Sequence, residues 1–202
     1  MQLYNTLSER VETFESGPHV SLYVCGITPY DTTHLGHAFL YVVFDVLIRR
    51  LEATGYKVTY AQNVTDIDDD ILRKARELDM DYLELGRRET ARFRSDLAAL
   101  NVRPPDHYPK ATEEIEHMVE LIGRLVNSDQ AYVRQGNVYF RKSGYPSFGE
   151  LSKLDEGQML QIARERGGDP DDPLRNDPLD FLLWKAAGSG EPSWPSPWSE
   201  GR

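Results

Sequence analysis

Two histidines in the segment His34-Leu35-Gly36-His37 form the strongest chemical signal in the sequence. In the first turn of a helix, side chains at positions i and i+3 share one face. A helix N-terminus also attracts anions through its free N–H groups and its dipole, and Gly36 leaves room for a planar base beside the backbone. The pattern suits a nucleoside triphosphate whose phosphate accepts hydrogen bonds from His34 and His37. A histidine pair that only caps and packs the helix is the alternative.

The segments on either side of these histidines predict a βαβ unit. The run His19 to Gly26 is typical of a strand, and Leu35 to Leu51 is so continuously apolar that we expect a buried helix. A second strand is expected from Tyr56 to Val64. Parallel strands need a right-handed crossover. We therefore predict an α/β fold with a Rossmann-like, doubly wound parallel sheet, and a ligand at the carboxyl ends of its strands.

The rest of the chain predicts helices, a hairpin and a further strand. We divide the whole chain into three parts. Residues 1–80 are the first half of a nucleotide-binding domain, 81–176 are an inserted, mostly helical subdomain, and 177–202 are a return to the catalytic domain with a truncated tail. The expected elements are helices at Tyr82–Leu100, Thr112–Val126 and Ser152–Arg166, a hairpin at Ala131–Arg141 with Gly136-Asn137 as its turn, and a strand at Asp180–Lys185.

Two further clusters have simple structural interpretations. The carboxylates of Asp66 to Asp70 could hold magnesium, but we favour the start of a helix, where negative charge is stabilising. The tryptophans near the end of the sequence are expected to be core or docking residues. They are Trp184, Trp194 and Trp198.

Composition restricts the classes of function. The chain has 202 residues, 40% hydrophobic and 28% charged, and is typical of a globular protein rather than a disordered one. Its net charge of −10 disfavours non-specific binding to nucleic acid or anionic membranes. Cys25 is the single cysteine, and the sequence begins without a signal-peptide pattern or a membrane-spanning run. We therefore expect a cytoplasmic protein.

The segment from Cys25 to His37 resembles the HIGH signature of class I aminoacyl-tRNA synthetases, and specifically of their cysteine-activating branch. The resemblance continues in Asn63-Val64-Thr65-Asp66-Ile67-Asp68-Asp69, in Pro178 to Lys185 and in Gly190 to Pro197, so that it spans essentially the whole chain. It implies ATP-dependent activation of L-cysteine to cysteinyl-adenylate and transfer to an acceptor. ATP is then a substrate, accompanied by magnesium.

The resemblance also implies roles for particular residues. His34 and His37 would be catalytic, with Gly36 between them at the nucleotide, and Cys25 would be a zinc ligand. Zinc binds thiolates better than hydroxyls, so it would separate cysteine from serine. Hydroxyls and backbone groups would hold the adenylate, although the two threonines could equally serve turns and caps. These binding residues are Cys25, Gly26, Ile27, Thr28, Asn63, Val64 and Thr65.

Two branches of this family share the pattern, and they differ in the acceptor. Cysteinyl-tRNA synthetase uses tRNA(Cys), whereas the mycothiol cysteine ligase uses the amine of glucosaminyl-inositol. The order Gly26-Ile27-Thr28-Pro29-Tyr30-Asp31 favours the ligase branch. The ligase-like segments Gly86-Arg87-Arg88-Glu89-Thr90 and Glu165-Arg166-Gly167-Gly168-Asp169-Pro170 agree with it.

The sequence departs from the family pattern in two places. Leu40 stands where the family usually has threonine, which removes a hydrogen bond worth about 1 kcal/mol. The sequence also contains neither the family's later zinc ligands nor its lysine-rich loop. We expect a truncated chain that corresponds to the N-terminal half of an enzyme. A non-catalytic nucleotide-binding half that needs a partner chain is the alternative.

Overall fold

A computed structural model describes residues 1–31 and 33–202, and the chain forms two compact units. One unit is Glu15–Glu114, and the other combines Met1–Phe14 with Ile115–Arg202. The chain begins with an antiparallel hairpin of β1 (Gln2–Asn5) and β2 (Arg10–Thr13), which the sequence analysis did not predict. Among the described residues, no helix is long and apolar enough to cross a membrane.

The unit Glu15–Glu114 contains the predicted βαβ arrangement. Strand β3 (His19–Ile27) pairs in parallel with β4 (Lys57–Val64), and helix α1 (Leu35–Ala53) connects them. Helices α2 (Asp69–Glu77) and α3 (Tyr82–Ala99) follow. The prediction of an α/β fold with a Rossmann-like parallel sheet is confirmed.

A third line of backbone runs beside β4, although the sequence did not indicate a strand there. Parallel bridges join Ala61 to His107 and Val64 to Lys110, and the Val64 N–H donates to the Pro109 carbonyl oxygen at 2.9 Å. Prolines at 104, 105 and 109 interrupt the pattern of a strand in the sequence. The sheet therefore continues past β4 through isolated bridges.

The expectation that α1 is buried is wrong in this chain. Only one side of the helix is covered, at Tyr41, Asp45, Ile48 and Leu51. The opposite side is a stripe at helical spacing, and its members include Leu35 and Phe39, which are 88% and 74% exposed. The sequence shows which faces of a helix are apolar but not which of them meet another element. We call this stripe the α1 apolar face; it comprises Leu35, Phe39, Val42, Val43 and Val46.

The acidic segment after β4 is confirmed as a helix start for most of its length. Asp68 caps α2 by accepting a hydrogen bond from the Asp70 N–H at 2.8 Å, and Asp69 and Asp70 lie in the first turn. Asp66 differs, because it is buried and accepts hydrogen bonds from the Thr112 N–H at 2.9 Å and the Thr112 hydroxyl at 2.6 Å. Asp66 is therefore an anchor for the returning chain.

The second unit is built from helices and a three-stranded sheet. Strands β5 (Ala131–Arg134) and β6 (Asn137–Phe140) form the predicted hairpin. Its turn is Gln135-Gly136 rather than Gly136-Asn137, because both turn residues have the positive φ (50° and 82°) that a two-residue hairpin turn requires. The remaining elements are α4 (Ile115–Asn127), α5 (Glu156–Glu165) and β7 (Phe181–Trp184), which pairs antiparallel with β6.

Two helix starts in this unit lie later than the sequence predicted. A short 3-10 turn at Ala111–Glu113 precedes α4, and α5 begins at Glu156 rather than at residue 152. Asp155 caps α5 in a reciprocal capping box with Gln158, which stops the helix from extending toward the N-terminus. The tryptophans are core residues as expected: Trp184 is 1% exposed, and Trp194 and Trp198 pack against its cluster.

Candidate functional site: the strand ends and the start of the first long helix

Cys25 and Gly26 lie at the carboxyl end of β3, in an irregular part of the sheet. The pairing register of β3 with β4 is continuous up to Val24 and resumes at Ile27, so that Cys25 and Gly26 form a bulge. Bulges beside functional sites redirect side chains. Here the Cys25 thiol is free and exposed, and the bulge therefore presents it to solvent at the strand end.

Asn63 organises the neighbouring strand end through its side chain. Its Oδ1 accepts hydrogen bonds from the Gly26 N–H at 2.7 Å and from the Tyr23 hydroxyl at 3.0 Å. Its Nδ2 donates to the Thr65 hydroxyl oxygen at 3.4 Å. These contacts fix the orientation of the amide and join Gly26, Asn63 and Thr65, three of the residues that the sequence singled out.

Gly26 has a steric requirement for glycine at this position. A Cβ atom built on its backbone would stand 1.6 Å from the Asn63 carbonyl oxygen. Backbone atoms cannot move aside as the end of a flexible side chain can, so the close approach of the two strand ends depends on the missing side chain. The Thr65 N–H also donates to the Ile27 carbonyl oxygen at 2.9 Å, which closes the same junction.

The two histidines lie together at the start of α1. Their rings stack with centroids 3.9 Å apart and an angle of 20° between the planes. His34 is the N-cap of α1, and its Nδ1 accepts a hydrogen bond from the Gly36 N–H at 3.1 Å. An accepting Nδ1 leaves the proton of a neutral imidazole on Nε2. The capping role considered for His34 is thus confirmed, while its Nε2–H remains a donor for a ligand.

His37 is in a less polar environment than His34. Partial burial, and secondarily the neighbouring His34, lower the pKa of His37 below its usual value. Its Nδ1 is buried, with no hydrogen-bond partner among the described residues. His37 is therefore neutral at pH 7, and an anion near its ring would favour the protonated form.

Tyr41 connects the helix group to the strand-end group. It lies one turn after His37, and its hydroxyl donates to the Cys25 carbonyl oxygen at 3.0 Å. The local sequence pattern did not single out Tyr41. The available signal was the single hydroxyl in the apolar run of α1, but nothing local indicated its partner on β3.

Two residues of the predicted site, Thr28 and Val64, take no part in the hydrogen bonds between the site residues. The Thr28 carbonyl oxygen accepts a hydrogen bond from the Tyr30 N–H at 3.0 Å, as expected for a turn. The Val64 side chain is fully buried, and its N–H is used by Pro109. Thr32, which lies inside the resembling segment, is outside the described residues.

The ligase-like segment of α3 lines a cavity of about 290 Å³. Gly86, Arg87 and Thr90 form part of its wall, together with Asp66 and Lys110. The segment thus has a defined place beside the anchor of the returning chain.

A family model for the class I (C) tRNA synthetase catalytic domain matches residues 11–202. The chain belongs to this family. The chain is 48% identical over its full length to a protein of Thermomonospora curvata named L-cysteine:1D-myo-inositol 2-amino-2-deoxy-alpha-D-glucopyranoside ligase. It is 46% identical over its full length to a protein of the same name from Nocardia farcinica. The chain spans about half the length of these relatives, 49% of the Thermomonospora protein and 50% of the Nocardia protein.

Solved structures agree on the fold of this class I synthetase-family chain. A methionyl-tRNA synthetase of Mycobacterium tuberculosis bound to methionyl-adenylate superposes with a TM-score of 0.55 at 18% identity, over 75% of this chain and 36% of the other. A second structure of that enzyme with methionyl-adenylate gives a TM-score of 0.52 at 23% identity, over 59% and 24%. The predicted family and fold class are both confirmed.

Proposed function

We propose that this chain carries the nucleotide- and cysteine-binding half of an ATP-dependent cysteine ligase. In the first step a carboxylate oxygen of L-cysteine attacks the α-phosphorus of ATP, forming cysteinyl-adenylate and releasing pyrophosphate. In the second step the amine of glucosaminyl-inositol attacks the activated carbonyl carbon, forming an amide and releasing AMP. The full-length match to relatives named as cysteine ligases of an amino sugar supports this acceptor.

The stacked histidines at the start of α1 are proposed to bind the phosphates. The His34 Nε2–H is available because its Nδ1 already accepts from Gly36. His37 lies against His34, and negative charge developing on the leaving pyrophosphate is stabilised by such preorganised donors. ATP is proposed to bind together with magnesium, and we assign no side chain of this chain as a magnesium ligand.

The strand-end residues are proposed to hold the cysteinyl-adenylate. Gly26 and Ile27 on β3 lie beside the cysteinyl end, and Asn63, Val64 and Thr65 lie along the ribose-phosphate end. The hydroxyls of Thr28 and Thr65 are the further donors. The observation that carries the proposal is the junction of the two strand ends through Gly26 and Asn63, because it forms at the sheet edge where such folds bind ligands.

We propose Cys25 as a zinc ligand and assign zinc binding to no other residue of the chain. An exposed thiol suits a soft metal, and Cys25 can supply one ligand. A catalytic zinc needs about three protein ligands, and the described residues contain no group of three histidine, cysteine or acidic side chains placed to hold a metal ion. The thiol therefore fits the metal as a single ligand, and no reaction step is assigned to zinc here.

We propose that the α1 apolar face is covered by the second half of the nucleotide fold. The relatives are about twice as long as this chain. The apolar side chains of this stripe lie side by side and are up to 88% exposed, whereas exposed apolar residues on an ordinary surface are scattered singly. The occupant is a segment that corresponds to the relatives' remaining length, either in the same polypeptide or as a partner chain.

Cysteine-dependent ATP–pyrophosphate exchange tests the proposed activation step. With the second half present, in the same polypeptide or as a partner chain, we expect exchange with L-cysteine and none with L-serine, and a large loss in a His34→Ala variant. Tyr145→Phe, an exposed position in the other unit, is the control and should retain exchange. Binding of ATP without exchange under these conditions would instead favour a non-catalytic nucleotide-binding protein, and absence of ATP binding would contradict the proposal.

Cysteinyl-tRNA synthetase is the second candidate, because the matching family model describes tRNA synthetases. The two candidates differ only in the second step. Preformed cysteinyl-adenylate should be consumed by glucosaminyl-inositol under the first proposal and by tRNA(Cys) under the second. Consumption by neither acceptor would contradict both.

A further inference from the structure

One peptide group at the bulge is held at both of its polar atoms. The carbonyl oxygen of Cys25 accepts a hydrogen bond from the Tyr41 hydroxyl at 3.0 Å, and the N–H of Gly26 donates to Asn63 Oδ1 at 2.7 Å. These two atoms belong to the same planar unit. Tyr41 comes from α1 and Asn63 from β4, so two different elements hold opposite ends of one peptide plane.

We call these two hydrogen bonds, from the Tyr41 hydroxyl and to Asn63 Oδ1, the clamp. The clamp lies where the sheet itself gives little restraint. The register of β3 with β4 omits Cys25 and Gly26, so the regular ladder does not orient this peptide. A glycine on one side of the bond removes much of the steric barrier to rotation of the plane. A change in the ψ angle of Cys25 that the φ angle of Gly26 did not compensate would turn the Cys25 side chain relative to β4, and the hydrogen bonds from outside the ladder therefore restrain its direction.

Tyr41 is itself fixed by a buried surrounding. Its side chain is 1% exposed, and its ring packs edge-on against Phe93 with centroids 5.1 Å apart. Burial and the ring contact therefore hold the Tyr41 hydroxyl against the Cys25 carbonyl oxygen.

We propose that Tyr41 is a positioning residue that, with Asn63, fixes the Cys25–Gly26 peptide and thereby aims the Cys25 thiol and the Gly26 backbone at the cysteinyl part of the ligand. The consequence for ligand binding rests on the proposed function, whereas the clamp itself does not. The two parts are therefore tested by separate measurements on the same variant, Tyr41→Phe, which keeps the ring and removes the hydroxyl.

Amide hydrogen exchange of Gly26 tests the clamp without any ligand. We expect exchange at Gly26 to become about fivefold to tenfold faster in Tyr41→Phe, since one buried hydrogen bond to the same peptide is lost. The control is Tyr139→Phe in the other unit: Tyr139 is also a buried residue, 2% exposed, and its hydroxyl donates to Asp172. Exchange at Gly26 within about twofold of the parent, or acceleration spread evenly over β3 and β4, would overturn the clamp.

Binding of two probes tests its consequence for the ligand. The probes are 5′-O-(N-L-cysteinylsulfamoyl)adenosine and 5′-O-sulfamoyladenosine, which differ only in the cysteinyl group. We expect Tyr41→Phe to weaken the first by about fivefold and the second by less than about twofold. Equal weakening of both probes, or none, would overturn the positioning role. If the parent chain binds neither probe, the proposed function fails, while the Gly26 exchange still decides the clamp.

Discussion

At the scale of single residues, Gly26 is the position where chemistry and sterics coincide. Replacing it by alanine places a Cβ atom 1.6 Å from the Asn63 carbonyl oxygen, so the strands must separate. We expect Gly26→Ala to lower the free energy of unfolding by about 1–3 kcal/mol or more, measured by urea denaturation. Gly17→Ala is the control, because nothing lies within 4 Å of its added methyl. Equal stability of the two variants would contradict the tight junction.

His37 provides a pH-dependent prediction at the same scale. Its pKa is lowered in the folded chain, so the unfolded chain binds more protons as the pH falls through about 6.5. The contribution of His37 to stability is therefore present above that pH and is lost below it. NMR titration should show His37 ionising below about 6.5, with its pKa rising in His34→Gln, which removes the secondary cause. An unchanged titration in that variant would exclude coupling between the rings.

Addition of ATP extends the titration to the proposed function. A phosphate beside the ring favours the imidazolium, so the pKa of His37 should rise when ATP binds. A titration without ATP, in buffer adjusted with salt to the same ionic strength, is the control for screening. A shift that follows ionic strength and not ATP would argue that the triphosphate lies elsewhere.

At the scale of elements, α1 has two faces with opposite consequences for mutation. Substitutions on its exposed side, Phe39→Glu together with Val46→Lys, should lower the binding of a hydrophobic dye to the chain and leave its stability nearly unchanged. Ile48→Ala on the covered side, where the residue is 1% exposed, should cost about 2–5 kcal/mol. The readouts are dye fluorescence and urea denaturation, and a large loss of stability in the double variant would mean that the apolar face is packed.

The elements also show what local pattern can and cannot predict. Strands β3 and β4 and helix α1 were predicted because their apolar runs are long and end at glycine or polar residues. The backbone line through His107 to Lys110 was not, because its prolines hide a strand that is held by bridges to β4. The hairpin turn was shifted by one residue because Gln135 adopts a positive φ that is rare for its type.

Residues of the candidate site could be singled out where their motifs are local. The histidines of α1 and the strand-end residues follow from short segments. The structure joins Gly26 with Asn63 by a hydrogen bond, and the roles of these residues in binding stay predictions. Tyr41 was missed because its partner is 16 positions away on another element. Contacts of this kind depend on how elements pack, and no spacing in the sequence reveals them.

At the scale of the whole molecule, the charge of −10 bears on the choice of acceptor. A polyanion such as tRNA is repelled at long range by an acidic chain. We expect the chain not to retain tRNA in a gel-shift assay at about 0.15 M salt. Retention of tRNA(Cys) over other tRNAs under these conditions would reverse the preference for the amino-sugar acceptor, and non-selective retention would be checked by its salt dependence.

The single exposed thiol of the chain also makes it a ready object for site-specific labelling. A maleimide fluorophore or a spin label would attach at one known position, at the mouth of the strand-end junction, with no cysteine to remove first. The same property has a preparative consequence. Two chains stored without reductant can join through their Cys25 sulfurs, so a covalent dimer in an aged sample would reflect air oxidation and not assembly.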